Sequence, residues 1–206
     1  MFVKDNFITN LQLLNDLSNN YIAGQQWWDG WWITPARNSQ EKIIELIWKD
    51  YPDIEKYKGF EYWSNLYSRS TNQMVSKTFH RDCDEYLRKT QCKLVTSNQT
   101  SILYFVEQDI IGGYLLISGE ENGANIDICS NVYLNSYSGP TFDILDRGSY
   151  EKISYKYNRL VIFDSWKLHG VSPIRTPGND VRGSFLCSPW KDSKPHDENF
   201  KNSIYK

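Results

Sequence analysis

The sequence predicts an α+β fold with a mainly β core and supporting helices near its N-terminus. Three observations carry this. The chain has 206 residues, enough for one domain with a real core. Its first third keeps a helical period. From about residue 73 onward, short apolar runs separated by Gly, Asn, Asp and Pro replace that period. Many short strands with turn signals between them suggest a sandwich, jelly roll or barrel. Helices first and strands after place the helices on one outer face of that β core. The expected division is helical support over 1–72, the β core over 73–190 and a polar peripheral tail over 191–206.

Taken in order, Phe7, Leu11, Leu14 and Leu17 recur at helical spacing, with Thr9 available as a cap. Asn38-Ser-Gln-Glu41 has the form of a capping box ahead of Lys42–Trp48, where Ile43, Ile44 and Ile47 mark one face. A third helix is expected over Tyr57–Tyr67, with Phe60, Trp63 and Tyr67 on one side. Between the first two helices lies the Trp-rich run WWDGWW, Trp27 to Trp32. The expected strands are Met74–His80, Ser101–Val106, Tyr114–Ser118, Asn125–Cys129, Lys152–Tyr155, Arg159–Phe163, Gly170–Ile174 and Arg182–Cys187.

Composition narrows the function classes. Lys plus Arg is 23 and Asp plus Glu is 25, so the net charge is −2. A protein living on phosphate contacts is usually basic, which disfavours nucleic acid as a partner. No apolar run reaches the length of a membrane span. The N-terminal residues lack the basic and apolar regions of a signal peptide, so a cytoplasmic location is expected. The 4 cysteines, Cys83, Cys92, Cys129 and Cys187, show no CxxC spacing and read as buried free thiols in a reducing compartment.

Only 3 histidines are present: His80, His169 and His196. In Phe79-His80-Arg81-Asp82, an extended backbone points His80 and Asp82 to the same side. His169 follows the strand-like run Arg159–Phe163, and only a folded sheet brings it to His80. Two histidines and one carboxylate on one face of an octahedral metal leave three positions open, the facial triad of non-haem Fe(II) oxygenases. A chelating, doubly negative cosubstrate then needs a cation at its far end. Arg182-Gly-Ser184 offers a guanidinium and a hydroxyl at i and i+2 on the next strand. Arg175 competes for the role from the loop-like segment IRTPGND, and Arg182 is preferred because its strand fixes its direction.

HRD…H…RGS resembles the HxD…H…RxS signature of Fe(II)/2-oxoglutarate-dependent dioxygenases. Ser101–Val106 followed by Gly112-Gly113-Tyr114-Leu115 is similar to the strand–turn–strand element of their prolyl-hydroxylase-like branch. Arg159–Phe163 running into His169-Gly-Val171-Ser-Pro173 resembles that branch's approach to its distal histidine. The resemblance covers about residues 75–190. It implies a double-stranded β-helix (jelly roll), with His80, Asp82 and His169 as metal ligands and catalytic centre. Arg182 with Ser184 would hold the distal carboxylate of 2-oxoglutarate, and Tyr104 would be a further cosubstrate contact. The cofactors implied are Fe(II), 2-oxoglutarate and O2. The reaction implied is hydroxylation of a C–H bond of an amino-acid, peptide or other small substrate, coupled to decarboxylation of 2-oxoglutarate to succinate. Asp82 fits the hydroxylase pattern and disfavours a halogenase.

Two other functions compete. A cupin-like jelly-roll binding module would use the histidines for packing or a structural metal. A nucleobase demethylase of the same superfamily would use WWDGWW to hold a flipped base. The bulk of the tryptophans is nonetheless expected to serve packing. Asp84 and Glu85 are expected to be solvated charges, Cys83 to have no function, and His196 to lie on the surface of the tail.

Overall fold

The computed structural model describes residues 1–22, 24–68, 77–118, 150–172, 174 and 181–196. The expected strand Asn125–Cys129, Arg175 and the end of the tail lie outside these residues. Ten strands and three α-helices are described. One sheet has six strands in the order β1 (Phe2–Lys4), β8 (Leu160–Asp164), β5 (Gln99–Tyr104), β10 (Val181–Trp190), β3 (Gly59–Ser68) and β2 (Gln26–Trp28). The second has four: β4 (Lys77–His80), β9 (His169–Val171), β6 (Leu115–Ser118) and β7 (Tyr150–Ile153). All the pairings are antiparallel.

Alternation along the strands divides the large sheet into two dissimilar faces. Leu103, Phe105, Leu160, Phe185 and Cys187 join Leu14, Leu17, Ile43, Ile44 and Trp48 in a core beneath the helices. Ile102, Tyr104, Val161, Phe163 and Leu186 point the other way and pack with Leu115, Ile117 and Ile153 of the small sheet. The two sheets therefore face each other across a second apolar layer, in the manner of a β-sandwich.

The helices follow their local signals. In α1 (Leu11–Asn20), Leu13, Leu14 and Leu17 are buried. Its cap is Asn10 rather than the expected Thr9, with the Asn10 side chain accepting from the Gln12 amide at 3.2 Å. In α2 (Ser39–Trp48), Asn38 accepts from the Glu41 amide at 2.9 Å, as the capping box requires. A short helix, α3 (Glu85–Gln91), was not expected. No helix among the described residues is long and apolar enough to cross a membrane.

The clearest correction concerns Tyr57–Tyr67, expected as a helix. After a 3-10 turn at Ile54–Lys56, residues Gly59–Ser68 form β3, which pairs with β10 along its whole length. Phe60 and Tyr62 face the helices, while Trp63 packs in the layer between the sheets. A strand covered on both faces loses the simple apolar–polar alternation, so its aromatics fell by chance on a helical period. A second correction concerns the cysteines. Cys83 and Cys187 are free, but Cys92 is disulfide-bonded. Disulfide pairing follows proximity in the fold, which sequence spacing does not disclose.

The N-terminal segment is clamped from the far side of the chain. Asn158 sits in a left-handed turn (φ 57°) that asparagine tolerates. Its side chain accepts from the Ile8 amide at 2.8 Å and donates to the Ile8 carbonyl at 2.9 Å.

Candidate functional site

β4 and β9 are neighbours in the small sheet, and His80 and His169 are opposed Cα partners. Asp82 lies just beyond β4. Between them Arg81 turns away and donates from Nε to the Trp166 carbonyl at 2.7 Å, fastening this segment to the turn that precedes His169. The result is convergence. His80 Nε2 lies 3.6 Å from Asp82 Oδ1, and His169 Nε2 lies 3.6 Å from Asp82 Oδ2. One ligand atom from each of the three residues lies within 4.8 Å of the others.

The His169 ring is oriented by the backbone. Its Nδ1 is 3.0 Å from the Lys167 carbonyl, an acceptor, so the proton belongs on Nδ1 and the lone pair on Nε2. That Nε2 is buried and has no hydrogen-bond partner. A buried lone pair without a donor is costly, and a cation at this point would satisfy it. Neutral imidazole nitrogens and a carboxylate suit a divalent first-row metal, including iron. Asp82 is steadied by the Thr100 hydroxyl, which donates to Oδ2 at 2.9 Å.

A second group lies on the same inner face of the large sheet. Arg182 is buried, and no carboxylate pairs with it among the described residues. Its Nη1 is 3.4 Å from Ser184 Oγ and its Nη2 3.3 Å from the Tyr104 hydroxyl. The guanidinium carbon is 4.9 Å from the Tyr104 ring centre and 5.7 Å from that of Tyr155. Its Nε has no partner. Burial pushes the Tyr104 hydroxyl above its usual range, so it stays protonated near neutral pH. A buried cation with unused donors is a receptor for an anion, carboxylate above all.

The structure thus brings His80, Asp82 and His169 together in one group, and Arg182, Ser184 and Tyr104 in another. Three contributors escaped the sequence reading. Thr100 lies four positions before Tyr104 on the same face of β5, a relation that strand periodicity could have flagged. Tyr155 floors the guanidinium and carries no motif. Gly113 (φ 61°) is more than a turn signal, because a Cβ there would lie 3.4 Å from Arg182 Cδ and 3.2 Å from Ile174 Cγ1.

Other expectations change. Asp84 is not solvated: it is buried and caps α3 by accepting from the Leu87 amide at 3.0 Å. A capping side chain is drawn in because it satisfies an otherwise unpaired helix amide. Glu85 pairs with Arg88 at 2.7 Å. His196 is exposed, as expected, but it has partners: its Nδ1 meets Asp84 Oδ2 at 2.7 Å and its ring stacks on Tyr86. Burial pushes the Cys83 thiol far up, which keeps it protonated and unreactive. Trp28, Trp31 and Trp32 gather around Phe60, on the face of the large sheet turned away from Asp82. Trp27 lies opposite Glu61 at the sheet edge, with the Lys194 ammonium 5.4 Å from its ring.

No protein-family profile matches the chain, and no curated protein matches its sequence. Solved structures do match. A prolyl-4-hydroxylase of Pseudomonas putida superposes with a TM-score of 0.54 at 14% identity, over 93% of this chain and 92% of that one. The chain shares the fold of that prolyl-4-hydroxylase. Two more prolyl hydroxylases resemble the chain at lower similarity. A viral collagen prolyl hydroxylase of Paramecium bursaria Chlorella virus-1, in a 2OG complex, gives 0.47 at 14% identity over 91% and 94% of the two chains. A prolyl hydroxylase of Trichoplax adhaerens, with a peptide fragment of hypoxia inducible factor, gives 0.48 at 15% identity over 98% and 86%.

Proposed function

We propose that this chain is an Fe(II)/2-oxoglutarate-dependent dioxygenase built on a double-stranded β-helix. The observation that carries the reading is the buried, unpartnered Nε2 of His169, aimed at the point where His80 and Asp82 converge. His80, Asp82 and His169 would hold the metal. Arg182, Ser184 and Tyr104 would hold the far carboxylate of 2-oxoglutarate.

Each side chain has a definable task. Lys167 O fixes the His169 tautomer, so the ring presents a lone pair without a prior proton transfer. Arg182 and Tyr104 bring fixed donors to the carboxylate and so orient the cosubstrate. Ile102, Val161, Leu115 and Leu186 form the apolar layer between the sheets and exclude water from its interior. Bound Fe(II), with O2 and 2-oxoglutarate, supplies the oxidising chemistry that no side chain can.

For the substrate we assign a C–H bond of an amino-acid or peptidyl residue. The Pseudomonas neighbour, a prolyl hydroxylase by name, supports a peptidyl residue. The net charge of −2 and the turned-away tryptophans lend nothing to a nucleobase. The test is succinate formation from 2-oxoglutarate under air with Fe(II) and no added substrate. Slow succinate release, lost in His80→Ala and in Arg182→Ala, is expected. A wild-type protein that binds Fe(II) yet releases no succinate with any peptide library overturns the assignment in favour of a non-catalytic binding module.

A further inference from the structure

Beneath Asp82 lies a group of buried hydroxyls. Thr100 Oγ1 is 2.9 Å from Asp82 Oδ2, 3.0 Å from Ser188 Oγ and 3.1 Å from Ser165 Oγ, and Ser165 Oγ is 2.6 Å from Ser97 Oγ. All four hydroxyl residues are buried. β5 runs between β8 and β10, so Thr100 is touched from both sides, by Ser188 of β10 and by Ser165 just past β8.

A hydroxyl has one proton to give. That of Thr100 has three acceptors in reach, Asp82 Oδ2, Ser165 Oγ and Ser188 Oγ. A metal-ligating carboxylate is ionised, and a charge-assisted bond is about twice as strong as a neutral one. The proton therefore goes to Asp82, and Thr100 accepts from Ser188. The β-branched side chain has few rotamers, which stiffens the arrangement further.

The geometry points to Thr100 as a positioning residue of the metal site: its hydroxyl holds the Asp82 carboxylate in the orientation that sets Oδ1 3.6 Å from His80 Nε2 and Oδ2 3.6 Å from His169 Nε2. This rests on the reading of His80, Asp82 and His169 as metal ligands. Without the Thr100 hydroxyl the carboxylate loses that hold and can rotate away from the two histidines.

Co(II) alone is the probe, titrated into the metal-free full chain and followed by its visible absorption. Thr100→Val keeps the shape and removes the hydroxyl. It should weaken Co(II) binding about tenfold to a hundredfold and alter the band shape, whereas Thr100→Ser should restore both. Ser101→Ala is the control. Ser101, the next residue of β5, faces the opposite side and donates to the Cys187 carbonyl at 3.0 Å. That variant should lower Tm while keeping wild-type affinity. Should Thr100→Val fail to fold, Ser188→Ala removes the donor that steadies Thr100, and affinity should fall there too. Wild-type affinity in whichever of these two variants is folded, or equal losses in it and Ser101→Ala, overturns the role of Thr100. A wild-type chain with no Asp82-dependent Co(II) binding overturns the metal-site reading itself.

Discussion

His80 and His169 are direct partners across β4 and β9, and their ring centres stand 4.5 Å apart. A sheet register thus delivers two imidazoles to one point, and the following residues add Asp82. Together with the unpartnered Nε2 of His169, this donor set suits a divalent cation. A ligand that binds the folded state alone raises stability, by about 2.7 kcal/mol at a hundred times its Kd. Added Fe(II) or Co(II) should therefore raise Tm, and a chelator should reverse it. The rise should vanish in His80→Ala and in His169→Ala and persist in His196→Ala, as read by anaerobic thermal melts.

Arg182 makes the second prediction. Truncating one partner of a buried charge pair costs about 3–5 kcal/mol, so Arg182→Ala should weaken 2-oxoglutarate binding by a hundredfold or more. Tyr104→Phe removes one neutral donor and should cost only about 0.5–1.5 kcal/mol. Gly113→Ala should also weaken binding, because a Cβ at φ 61° strains the turn and crowds Ile174 beside the Arg182 stem. Arg175→Ala should cost far less than Arg182→Ala. Calorimetric titration of the metal-loaded protein checks the order, and the reverse order for the two arginines contradicts the assignment.

The aromatic cluster is predicted to be structural. Phe60 is fully buried, with Trp28, Trp31 and Trp32 around it. Phe60→Ala should cost about 3–5 kcal/mol of stability. Metal and 2-oxoglutarate affinities of the folded fraction should stay at wild-type values. A selective loss of either affinity would place the cluster in the site after all.

Glu61 gives a pH prediction. It is buried, accepting from Gln25 at 3.0 Å and from Trp190 at 3.0 Å. Burial, with Asp82 and Asp84 adding repulsion, pushes its pKa from 4.5 up to about 8. Between those values the folded chain holds a proton that the unfolded chain has released, so stability falls as pH rises through that window. Below 4.5 both states are protonated, and above 8 the full penalty is in place. Glu61→Gln should therefore gain on the wild type progressively from pH 4.5 to 8 in metal-free melts. A difference independent of pH contradicts the shift.

The sequence and the structure agree where chemistry is written in local order. His80 and Asp82 at i and i+2, His169 behind an apolar strand, and Arg182 with Ser184 on the next strand were all legible, because strand periodicity places such residues on one face. β3 was not legible. Its Phe60 and Tyr62 face the helices while Trp63 faces the second sheet, so no alternation marks the strand. Asp84 was misread because a capping carboxylate and a solvated one look alike until the helix behind it is known. Thr100 was missed for a different reason: strand periodicity sets it on the face of Tyr104 but does not bring Asp82 to it. A buried threonine on a β strand is ordinary, and only the approach of Asp82 from elsewhere in the chain gives it a task.

The most direct test of the account is the visible absorption of the protein after anaerobic addition of Fe(II) and 2-oxoglutarate. A metal-to-ligand charge-transfer band is predicted for the wild type, lost in His80→Ala and sharply reduced in Arg182→Ala. A wild-type protein without the band, or a His80→Ala variant that keeps it unchanged, contradicts the account.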